Sequence, residues 1–110
     1  MTAPNSMTID IHTFAARHAD GAYVIDVREP MEYVGGHVPG AELVPMSRIT
    51  GYVDRLPRDR EVYVICQSGN RSLSMASLLE RFGIDAISVD GGTSAWASRG
   101  GPLVAGAKAA

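Results

Sequence analysis

The chain has 110 residues, enough for one domain that buries roughly two-thirds of its unfolded surface without disulfide or metal support. A formal net charge of -2, a pI of about 5.8 and the lack of any Lys/Arg run argue against nucleic-acid or anionic-membrane binding. Its one cysteine, Cys66, excludes an internal disulfide and any CxxC redox or zinc arrangement, and suits a reduced, cytoplasmic setting.

In chain order, residues 1–7 read as a loose polar lead without the apolar stretch of a signal peptide or membrane span, and Met1 and Met7 leave two candidate starts. Asp10 is a good N-cap for a helix with Ile11, Phe14 and Ala15 at helical spacing, and His18 continues that stripe as a packing or capping residue. Tyr23 to Val27 is a short, nearly continuous apolar run, as are Val62 to Ile65 and Ala86 to Val89. Such runs fit central strands of a parallel sheet covered on both faces. Helical stretches separate them. Pro30 to Val34 is a short turn of helix with Pro at its first position, and Ile49, Tyr52, Val53 and Leu56 share one helical face. A further helix, with a wide apolar face, runs from Leu73 to Phe82, with Gly83-Ile84 as its left-handed C-cap and hydrophobic contact, and a last one spans Thr93 to Ser98. Pro102 to Ala110 reads as a small-residue tail without order. The alternation of strand and helix predicts a three-layer α/β sandwich, a central mostly parallel sheet flanked by helices, over residues 8–100, with flexible termini at 1–7 and 101–110.

The informative stretch is Cys66-Gln67-Ser68-Gly69-Asn70-Arg71-Ser72, between the Val62 to Ile65 run and the helix that ends at Phe82. A thiol at a strand end, followed by a Gly-containing turn and a helix start, faces unpaired backbone N–H groups and the positive end of the helix dipole. Both favour thiolate, the nucleophilic form. A helix N-terminus supplies only about 0.3–1 kcal/mol, up to about 2 when partly buried. Lowering a thiol pKa by about two units needs roughly 2.7 kcal/mol. Arg71 and direct N–H donors are therefore expected to supply the rest.

Four segments in this order resemble the rhodanese homology domain in its single-domain form, over about Thr8 to Gly100. They are Asp26-Val27-Arg28-Glu29, Gly36-His37-Val38-Pro39-Gly40-Ala41, the Cys66 loop, and Gly91-Gly92-Thr93-Ser94-Ala95-Trp96. The resemblance implies a sulfurtransferase that carries a sulfane sulfur as a Cys66 persulfide. The donor is then thiosulfate or another small anionic sulfur compound or persulfide, and the acceptor is cyanide, a thiol or a protein. It implies no metal or organic cofactor. In that reading Cys66 is catalytic and Gln67, Ser68, Gly69, Asn70, Arg71 and Ser72 bind the donor, with Arg71 orienting it.

The resemblance also places Asp26 beside the loop, accepting hydrogen bonds from loop backbone or Arg side chains, with Arg28 and Glu32 as a partly buried pair supporting it. His37 reads as structural within a Gly-Pro turn and Trp96 as a packing cap over the sheet. The Cys-x4-Arg spacing is one residue shorter than in the cell-cycle phosphatases that share the fold, which ranks sulfur transfer above phosphoester or arsenate chemistry. Members that use thiosulfate efficiently often carry Arg or Lys after the cysteine. Gln67 stands there, which puts thiosulfate in doubt as donor and leaves persulfides open. The readings from other classes are a non-catalytic rhodanese-like binding or regulatory module and an accessory domain in a sulfur relay.

Overall fold

The computed structural model describes residues 8–110, so the expected N-terminal lead at 1–7 lies outside the described residues. The elements are β1 (Thr8–Ile9), α1 (Ile11–Ala19), β2 (Tyr23–Asp26), α2 (Pro30–Val34), β3 (Glu42–Leu43), a 3₁₀ segment (Met46–Arg55), β4 (Val62–Ile65), α3 (Asn70–Arg81), β5 (Ala86–Val89) and α4 (Gly92–Ser98). The five strands form one sheet in the order β1-β5-β4-β2-β3, and every pair is parallel. The central strands β2, β4 and β5 are the three apolar runs. All four residues of β4 and of β5 are buried, as strands covered on both faces require.

Side chains alternate between the two faces of the sheet. Val62, Val64 and Cys66 belong to the core layer that packs under α3 and the 3₁₀ segment, with Ala76, Leu79, Ile49 and Val53. Tyr63 and Ile65 face the opposite layer, with Phe14 of α1 and Trp96 of α4. The result is the three-layer α/β sandwich. It places the carboxyl end of the central strand β4, where ligands bind in such sheets, between the ends of β2 and β5.

The local stop and start signals act as expected. Asp10 Oδ1 accepts from Thr13 N at 2.9 Å and caps α1. Gly83, at φ 83°, ends α3, with Gly83 N donating to Glu80 O and Ile84 N to Leu79 O. That is the two-bond Schellman pattern, and it buries Ile84. His18 Nε2 lies 2.7 Å from Pro39 O and its ring 4.9 Å from Trp96, so it packs at the helix end. Trp96 is buried and meets Phe14 edge-on.

The secondary structure and the C-terminal segment differ from the sequence expectations in three places. Two edge strands, β1 and β3, join the three apolar runs, each only two residues long. The segment with Ile49, Val53 and Leu56 turned inward winds as 3₁₀ rather than α, through Thr50 and Gly51, both poor α formers. Residues 102–110, expected as a loose tail, run back along the Gly35–Gly40 turn. Trp96 Nε1 donates to Pro102 O at 2.7 Å, and His37 and Val104 form an antiparallel bridge. Gly106 N donates to Val34 O, and Gly40 N donates to Ala109 O. A Gly-Pro turn leaves backbone donors and acceptors without ladder partners, and an extended strap supplies them. His37 is fully buried beneath it, stacked 3.6 Å from Tyr33. No helix among the described residues is long and apolar enough to cross a membrane.

Candidate active site

Cys66 continues the inward alternation of β4, so its side chain points at the first turn of α3. Gly69, at φ 110°, sets the left-handed entry to that helix. The turn brings Gly69 N to 3.1 Å and Ser72 N to 3.3 Å from Cys66 Sγ, and Ser72 Oγ to 3.4 Å. Burial pushes the thiol pKa up. Bonds from the Ser72 hydroxyl and from the Ser72, Gly69 and Ser68 amides outweigh it, so the thiol lies below its ordinary value. The residue is 1% exposed, so a reagent meets only the tip of the sulfur.

The orientation of the loop depends on α4. Thr93 N and Thr93 Oγ1 donate to Cys66 O at 2.8 and 3.0 Å, and Ser94 N donates to Gln67 O at 3.0 Å. With the Gln67 carbonyl turned toward α4, the Ser68 amide of the same peptide turns toward Sγ. Gly92 permits the approach. It sits at φ 57°, and a Cβ there would overlap the Cys66 carbonyl oxygen and the Gln67 backbone. Gly92, Thr93 and Ser94 were legible only as a motif in sequence; nothing local in it marks them as the outer brace of the Cys66 loop.

The charged residues pair differently from expectation. Arg28 does not pair with Glu32. Its Nε and Nη2 bond both carboxylate oxygens of Asp26, at 2.9–3.1 Å, and Nη2 also donates to Gly36 O. This pair is 0% and 3% exposed and ties the end of β2 to the Gly36 turn. Residues two apart at a strand end reach each other directly, whereas Glu32 lies beyond the start of α2. Glu32 instead holds Arg71 in a two-bond fork, at 2.7 and 2.8 Å, which links α2 to α3. Arg71 is thus bound to a carboxylate and does not stand as a free cation at the thiol. Its charge and that of the Cys66 thiolate still attract at longer range. The fork from Arg71 holds the Glu32 carboxyl down to about 2 against the opposing effect of burial.

Gln67 is also committed at both ends. Its Oε1 accepts from Arg28 Nη1 at 2.9 Å and its Nε2 donates to Ser94 Oγ at 2.8 Å. Ser68 and Asn70 are exposed on the outer rim. Beside the loop lies an open groove of about 470 Å³, with Arg28, Glu32, Gln67, Ser94, Ala97 and Leu103 in its walls. Leu103 comes from the C-terminal strap. Among the described residues no cluster of three His, Cys, Asp or Glu is placed to hold a metal ion.

Two outcomes follow from the charge pairs. Asp26→Ala leaves Arg28 buried without its carboxylate, and urea unfolding should show a loss of about 3–5 kcal/mol. Glu32→Gln tests the half-exposed pair. A carboxyl depressed by folding contributes stability that is full above about pH 4.5 and is lost as pH falls toward about 2. The difference in stability between wild type and Glu32→Gln should therefore be flat near neutrality and close across that window.

The family model described as the rhodanese-like domain matches residues 10–99. A sulfurtransferase from Allochromatium vinosum is 35% identical over 100 residues, covering 88% of this chain and 94% of its own. A thiosulfate sulfurtransferase from Pseudomonas entomophila is 34% identical over 84 residues, covering 76% of this chain and 77% of its own. The crystal structure of a rhodanese-related protein from Thermoplasma volcanium superposes with a TM-score of 0.82 at 31% identity, covering 88% of this chain and 96% of that one. With its cysteine loop at the end of the central strand, this chain belongs to the rhodanese-like family.

Proposed function

We propose that this protein transfers sulfane sulfur through a persulfide on Cys66. The observation that carries the reading is the convergence of backbone amides and one hydroxyl on a single sulfur. The Cys66 thiolate attacks the outer sulfur of the donor. With thiosulfate the S–S bond breaks and sulfite leaves with the electron pair. With a thiol persulfide the parent thiolate leaves. Either way Cys66 carries one added sulfur, and the amides of the loop hold its developing charge as an oxyanion hole would. A thiolate or cyanide then attacks the terminal sulfur and returns Cys66 to thiolate. The names of the two sulfurtransferase relatives support the same chemistry.

The charge layout favours a persulfide over thiosulfate as donor. Arg28 is satisfied by Asp26 and Gln67, and Arg71 by Glu32. The two carboxylates cancel the two guanidinium charges, and the thiolate leaves the site with an excess negative charge. A dianion gains little in such a groove, whereas a persulfide presents less charge at the reacting end.

Intact mass measured after exposure to thiosulfate or glutathione persulfide should rise by one sulfur atom and fall back with cyanide. Cys66→Ser should show neither change. A wild-type chain that takes up no sulfur from any donor would favour the non-catalytic module instead. Releasing Arg71 from its carboxylate provides a second test. Glu32→Gln should raise kcat/KM for thiosulfate by roughly three- to tenfold at low salt, less for the persulfide, with the gain shrinking as salt rises.

A further inference from the structure

Ser88 is a buried polar group that the transfer scheme leaves unused. It is 1% exposed in the middle of β5, paired in register with Val64 of β4. A hydroxyl in that apolar layer is costly unless it is bonded. Its Oγ lies 2.8 Å from Ser72 Oγ. Ser72 Oγ in turn lies 3.4 Å from Cys66 Sγ and 3.1 Å from Gly69 O.

Proton counting fixes the direction of these bonds. A serine hydroxyl has one proton to give and two lone pairs to receive. With Cys66 as a thiol, the S–H and the Ser88 O–H both donate to Ser72 Oγ, and Ser72 donates to Gly69 O. When Cys66 ionises, its sulfur has no proton left to give. The Ser72 hydroxyl then rotates from Gly69 O to Sγ, and Gly69 O keeps the bond from Leu73 N at 3.2 Å. In both states Ser88 donates to Ser72. If Ser72 donated to Ser88 instead, it would have no proton for the thiolate.

We propose that Ser88 is a positioning residue for Cys66: it holds the Ser72 hydroxyl as a donor toward Sγ, so that Ser88, Ser72 and Cys66 form a relay from the sheet to the nucleophile. The relay deepens the sulfur-transfer reading, but its test reads the thiolate directly and needs no transfer. A chain that never accepted sulfur would still show it.

The experiment is the rate of Cys66 alkylation by iodoacetamide as a function of pH. Ser88→Ala removes the donor without orphaning Ser72, which keeps Gly69 O as its acceptor. Mutual polarisation strengthens a chained hydrogen bond by roughly 10–30%. Its loss should slow alkylation about two- to fourfold below the inflection and move the inflection to higher pH. Ser88→Thr keeps the hydroxyl and should follow wild type, whereas Ser88→Val, of matched volume, should follow Ser88→Ala. In a Ser72→Ala background, Ser88→Ala should add nothing. A Ser88→Ala profile that superimposes on wild type would overturn the relay. So would Thr and Val variants that behave alike, or an equal slowing in the Ser72→Ala background, which would mark a packing effect.

Discussion

The structure around Cys66 depends on two backbone carbonyls that accept hydrogen bonds from the first turn of α4, those of Cys66 and Gln67. A peptide unit is planar, with its N–H and C=O on opposite sides. Turning the Gln67 carbonyl toward Ser94 therefore turns the Ser68 amide the other way, toward the sulfur that it helps to stabilise. The glycine at 92 lets α4 approach closely enough to do this. The fold thus positions the loop from outside. β4 delivers the thiol, the first turn of α3 brings the Gly69 and Ser72 amides to it, and α4 sets the orientation of the Gln67–Ser68 peptide.

This arrangement relies on dipoles more than on a free cation. Arg71 is the obvious partner for a thiolate, yet its guanidinium is forked onto Glu32. Arg28 is locked into a buried pair with Asp26. Both arginines act as struts between elements, from β2 to the Gly36 turn and from α2 to α3. Hydrogen bonds to Sγ provide the leading stabilisation of the anion, and they work against burial. Each guanidinium in this region is held by a carboxylate of the fold, Arg28 by Asp26 and Arg71 by Glu32.

The parts of the fold that could be read from sequence were those with their own periodicity or punctuation. The runs Val62–Ile65 and Ala86–Val89 identify buried strands, Asp10 and Gly83 mark helix ends, and Cys66 with Gly69 and Ser72 marks the loop. β1 and β3 escaped because two residues carry no alternation. Asp26 as an acceptor for an arginine was legible, but Glu32 as the partner of Arg71 rather than of Arg28 was not, because that pair spans 39 positions and only the packed fold selects it. Ser88 was hidden within an apolar run. A serine at the inward position of a central strand is itself a signal, since that position otherwise calls for an aliphatic side chain. The strap at 102–110 was invisible for another reason: its small residues bond through the backbone, which composition does not report.

Hydrogen bonds from the loop, more than the charge of Arg71, draw the Cys66 pKa below its ordinary value. The most direct measurement is the pH at which Cys66 alkylation reaches half its maximum rate in Ser72→Ala and in Arg71→Ala, each against wild type. The hydrogen-bond account predicts a clear upward move in Ser72→Ala and a smaller one in Arg71→Ala that fades with added salt. A larger move in Arg71→Ala, with Ser72→Ala unchanged, would contradict it.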